Sequence, residues 1–115
     1  MTIRATLTCL VLAVAPFIGE AHSPTERTTP ADGATVAAVS ELRVAFGGPM
    51  RITFAALTHE GTPLAITRDG GLDPVTELRA TPDAALAPGG YRFEWRGLAA
   101  DGHPMTGEFG FTVSE

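Results

Sequence analysis

The sequence contains no lysine, and its only cysteine, Cys9, lies in an apolar N-terminal run. The rest of the chain therefore has no disulfide, no thiolate ligand and no thiol nucleophile, and its stability must come from a packed core. The basic residues are eight arginines spread along the chain without a basic cluster. That pattern excludes nucleic acid and anionic membrane as expected partners. Other absences bear on catalysis. There is no glycine-rich phosphate loop, no Cys-x-x-Cys, no His-Glu-x-x-His and no Gly-x-Ser-x-Gly, so nothing points to a nucleotide enzyme, a zinc protease or a serine hydrolase.

What is present begins with an export signal. Arg4 supplies a positive start, and "ATLTCLVLAVAPFI" (Ala5 to Ile18) is an apolar run too short to span a bilayer comfortably. Gly19 and Ala21 place small side chains at the −3 and −1 positions of a cleavage site. The expectation is a signal peptide over 1–21 and one domain over 22–115, beginning at His22. Cleavage removes one arginine and one glutamate, so the formal net charge stays at −5.

Beyond His22 the pattern alternates. "ELRVAFG" puts Leu42, Val44 and Phe46 on one face. "GGYRFEWR" does the same with Tyr91, Phe93 and Trp95, and "GEFGFTVSE" with Phe109, Phe111 and Val113. "RITFAALT", "TPLAITR" and "TELRAT" read as further strands, with Gly47, Gly48 and Pro49 as a break between two of them. "SPTERTTPADGATV" reads as an edge strand followed by turns. Period-two alternation broken at short intervals by Gly, Pro and Asp specifies an all-β sandwich or barrel.

Two places carry candidate chemistry. A histidine at a freshly cut N-terminus offers two nitrogens, the free amine and imidazole Nδ1, which together close a chelate ring on a metal. "ADGHP" holds Asp101 and His103 two residues apart, and residues i and i+2 of an extended segment face the same way. His22, His103 and Asp101 together make a nitrogen-rich N/O set suited to Cu(II), with Zn(II) a weaker occupant. His59, in "THEGT", reads as an exposed turn residue. Met50 and Met105 read as packing beside strands, with Met105 the nearer of the two to the proposed site. Trp95 reads as core that could border the metal pocket.

These segments together resemble the CopC family of exported copper-binding domains: His22 at the start, then "TTPADGATV", "ELRVAFGGPM" and "PGGYRFEWRGLAADGHPMTGEFGFTV". The likeness spans essentially all of residues 22–115. It implies a seven-stranded, Ig-like Greek-key sandwich or barrel and a non-enzymatic, monomeric periplasmic protein that serves copper homeostasis, resistance or delivery. It also implies one Cu(II) per chain on His22, Asp101 and His103, with Trp95 nearby. The implied partners are the copper ion and an inner-membrane copper transporter or a copper-receiving protein. Two-site members carry a methionine-rich Cu(I) loop. The corresponding stretch here, "LTHEGTPLAI", has one histidine and no methionine, so a Cu(II) site alone is expected. The alternatives are a small copper oxidase or monooxygenase, built on an N-terminal histidine plus a second histidine, and an Ig-like interaction module without metal.

Overall fold

The computed structural model describes residues 25–115, which form eight strands and no helix. They are β1 (Thr25–Thr29), β2 (Ala34–Val36), β3 (Leu42–His59), β4 (Thr62–Leu64), β5 (Ile66–Arg68), β6 (Pro74–Pro82), β7 (Gly89–Ala99) and β8 (Pro104–Val113). The all-β sandwich expected from the alternation is what forms. The hydrogen-bonded path β2-β8-β7-β3-β6-β5 is open at both ends, with β1 and β4 each paired to β3. "TPLAITR", expected as one strand, divides at Ala65 because its halves join different neighbours: β4 pairs β3, whereas β5 pairs β6.

The organising element is β3, 18 residues long. Its first half pairs with β1 and β6, Val44 lying opposite both Thr28 and Leu78. Its second half pairs with β7 and β4. The changeover falls at Gly47–Pro49. There the β6 ladder shifts register between Ala45 and Met50 and resumes on Met50 and Arg51, while on the other edge of β3 the pairing passes from β1, which ends opposite Phe46, to β7, which begins at Met50. A strand that changes partners in this way turns a corner between two layers. The Gly-Gly-Pro run is therefore a bend within one strand; the chain does not leave the ladder there.

A second irregularity keeps the far half in phase. Ile52 lies opposite Gly97, but Phe54 lies opposite Arg96. Thr53 is thus an extra residue, a bulge that reverses which side of the strand faces inward. Before it, Met50 and Ile52 are buried; after it, Leu57 is buried and Phe54 points out. Without the bulge, unbroken alternation from Ile52 would place Phe54 inside and Leu57 outside.

The two layers enclose one apolar core containing Leu42, Val44, Phe46 and Leu78 from one side and Tyr91, Phe93, Trp95, Phe109 and Phe111 from the other. Among the described residues no polar or charged residue is buried. Phe46 meets Trp95 edge-on across the layers, centroids 5.0 Å apart at 71°, a favoured aromatic geometry. Trp95 is 1 % exposed. Its indole covers the inner face of Gly107, its partner in β8, where a Cβ would lie 2.5 Å from Nε1. The core reading of Trp95 holds, and it depends on a glycine opposite.

Candidate metal centre

β7 and β8 form a hairpin whose last paired residues are Leu98 and Pro104. Two backbone bonds finish it: Ala99 N–H donates to His103 O at 2.9 Å, and Gly102 N–H donates to Ala99 O at 2.8 Å. Gly102 has φ +86°, a left-handed value that a glycine takes without penalty. "ADGH" is therefore a tight turn at the tip of the longest hairpin, and it holds Asp101 and His103 against each other.

Both side chains are largely exposed, and they are locked together. The His103 backbone N–H donates to Asp101 Oδ1 at 3.1 Å, and His103 Nδ1 lies 2.6 Å from Asp101 Oδ2. A carboxylate can only accept, so the ring donates its proton from Nδ1. In the neutral ring this leaves Nε2 without a proton and facing away from the carboxylate, the arrangement in which a histidine is ready for a metal. The Asp101 carboxyl is held below the usual carboxylate range, first by the backbone N–H of His103 and then by its ring. Each of its oxygens keeps lone pairs for a cation.

The third expected ligand, His22, lies outside the described residues, as do the expected signal peptide and its cleavage site. The direction of β1 nonetheless bears on it. β1 runs antiparallel to β3, with Thr25 opposite Phe46 and Thr29 opposite Arg43. Thr25 is thus the end of β1 that lies nearer, along β3, to Met50, and Met50 pairs with Ala99 at the base of the Asp101–His103 hairpin. Among the described residues no group of three His, Cys, Asp or Glu side chains gathers. Asp101 and His103 stand as a pair.

The remaining candidates sort differently. His59 is the last residue of β3 rather than an exposed turn residue, and it is half-buried. Its ring stacks on Tyr91 at 4.3 Å, and Tyr91 in turn stacks on Phe111 at 5.2 Å. Tyr91 Oη donates to Ala87 O at 2.5 Å, and burial, followed by the charge of Glu60, raises its pKa. This aromatic stack closes the end of the sandwich opposite the hairpin tip. Met50 is core, 2 % exposed. Met105 is half-buried against the core edge.

Comparison with known proteins decides the family: the CopC domain model matches residues 25–114. The chain belongs to the CopC family. Copper resistance protein C of Escherichia coli is 32% identical over 115 residues, covering 90% of each chain. Copper resistance protein C of Pseudomonas syringae pv. tomato is 31% identical over 106 residues, covering 84% of this chain and 83% of that protein. The crystal structure of PcoC, a methionine-rich copper resistance protein from Escherichia coli, matches this CopC fold with a TM-score of 0.68 at 31% identity, over 82% of this chain and all of that one. Methionine is scarce here by contrast: Met1, Met50 and Met105 are all there is.

Proposed function

We propose that this CopC chain is an exported copper carrier that binds one Cu(II) per molecule through His22, His103 and Asp101. The family is one of copper-binding resistance proteins and not of enzymes, and a copper-handling role follows from membership. The finer reading is that residues 1–21 are removed on export to the periplasm and that the new terminus supplies the His22 amine and Nδ1. His103 then adds Nε2, and Asp101 holds that ring in place and offers an oxygen. The protein works as a monomer that passes copper to a membrane transporter or a receiving protein.

The single observation that carries this reading is the Asp101–His103 pair, with the carboxylate held on Nδ1 and so on the side of the ring away from Nε2. It lies at the end of the sandwich towards which β1 points back. Three residue steps separate His22 from Thr25, and an extended chain covers at most ~3.3–3.6 Å per residue, about 10 Å in all. The donor set is nitrogen-rich with one hard oxygen, which favours tetragonal Cu(II).

The test uses protein beginning at His22, titrated with Cu(II) and followed by electron spin resonance. One equivalent should bind with a tetragonal, nitrogen-rich spectrum. His103→Ala should weaken binding by ~10–100-fold or more, since losing even an outer-shell partner costs that much. His59→Ala should leave it intact, because His59 closes the opposite end. Equal Cu(II) affinity in His103→Ala would sink the assignment.

A further inference from the structure

The turn that carries Asp101 and His103 leads directly into β8 and Met105, so the run reads Asp-x-His-x-Met. The Ala99 N–H to His103 O bond keeps residue 103 in the ladder, and Pro104 and Met105 pair with Leu98 and Gly97. Along such an extended segment, residues 103 and 105 fall on the same side. Met105 is on the inner side of β8, packed at the margin of the core and still half-exposed.

The interior beneath it is already taken. Gly97, the register partner of Met105, has no side chain, and Met50 fills that space: a Cβ on Gly97 would lie 2.9 Å from Met50 Cγ and 3.1 Å from Sδ. Met105 is therefore left at the rim. The only two methionines among the described residues thus stand at the hairpin end of the sandwich, one sealed in and one at the edge beside His103.

We propose that Met105 is a further copper ligand, a thioether that allows the centre at His103 to hold Cu(I) as well as Cu(II). The proposal rests on the copper reading above and extends it. Thioether sulfur is a soft donor that selects Cu(I), whereas the amine, imidazole and carboxylate set selects Cu(II). One imidazole nitrogen shared between the two sets lets the metal stay at one place in either oxidation state. The site then needs no methionine-rich loop to accept Cu(I).

The experiment compares protein beginning at His22 with its Met105→Leu and Met50→Leu variants. Each is a volume-conserving exchange that cores tolerate, and circular dichroism verifies the fold. Cu(I) affinity is read anaerobically by competition with a chromophoric Cu(I) chelator, and X-ray absorption reads copper–sulfur scattering. Cu(II) affinity is read on the same preparations. The expected result is sulfur scattering in the Cu(I) form that disappears in Met105→Leu. Cu(I) affinity should fall with it by at least ~10–100-fold, the cost of losing a lesser, outer-shell partner. Cu(II) affinity should be unchanged in all three proteins. Unchanged Cu(I) affinity in Met105→Leu, absence of sulfur scattering, or a loss that follows Met50→Leu instead would overturn the proposal. Normal Cu(II) binding alongside any of these confines the failure to Met105. A parent protein that binds no Cu(II) would bring down the copper centre itself, and the role of Met105 with it.

Discussion

Asp101 and His103 show how a largely exposed pair can be ordered by its own backbone. The turn presents the His103 N–H and the His103 ring to the two oxygens of one carboxylate, so the side chains need no burial to hold their geometry. The depressed pKa of Asp101 is the measurable trace of that order. A carboxyl whose folded pKa lies below its unfolded value adds stability above the unfolded value and loses it as pH falls through the folded one. In metal-free protein, NMR titration of the Asp101 carboxyl should therefore give a midpoint below that of an aspartate in an unstructured peptide. In His103→Ala the depression should shrink but persist, because its largest cause is the backbone N–H, which alanine retains. A midpoint in the parent at the ordinary carboxylate value would mean that the pair is not formed in solution, and Nε2 would lose its fixed aim.

At the scale of elements, β3 decides the architecture. Phe46 is the last inward residue before the strand changes layers, and it sits edge-on to Trp95 on the other side of the core. Phe46→Ala should open a cavity at the corner and cost about 3–5 kcal/mol. Denaturant melts of the metal-free protein check this; a loss under ~1 kcal/mol would mean that the corner collapses around the gap. The strands themselves were legible wherever one face is dry, since the Leu42–Phe46, Tyr91–Trp95 and Phe109–Val113 alternations follow from burial alone. The continuity of β3 through Gly47–Pro49 was not, because glycine and proline mark a turn and a bent strand alike. Nor was the setting of His59. Its neighbour Tyr91 is remote in sequence, and the close fit of its Nε2 against Gly89, where a Cβ would lie 2.6 Å away, is made by a chain crossing that no local pattern encodes. The Asp-x-His pair was legible as a spacing, but the use of Nδ1 to grip the carboxylate came only with the turn geometry.

At the scale of the whole molecule, the proposed copper centre would join the start of the domain to its longest hairpin. What supports this is the pairing of β1 with the first half of β3, antiparallel, and of the hairpin strand β7 with its second half. This makes the position of the N-terminus a chemical variable. A single alanine added before His22, in protein otherwise beginning there, leaves every described strand unchanged and lies at a terminus, where insertions are tolerated. It converts the His22 nitrogen from an amine into a peptide nitrogen and moves the new amine one residue away, so the five-atom grip of amine and imidazole is lost. The parent site should weaken as pH falls, because protons compete with copper for the amine and imidazole nitrogens. The extended protein should lose Cu(II) affinity by ~10–100-fold or more at neutral pH and change its spin-resonance spectrum, with its melting curve unmoved in the absence of metal. Should it bind Cu(II) as tightly, with the same spectrum and the same pH profile, the amine is not a ligand, and copper binding would rest on the hairpin without the terminal chelate.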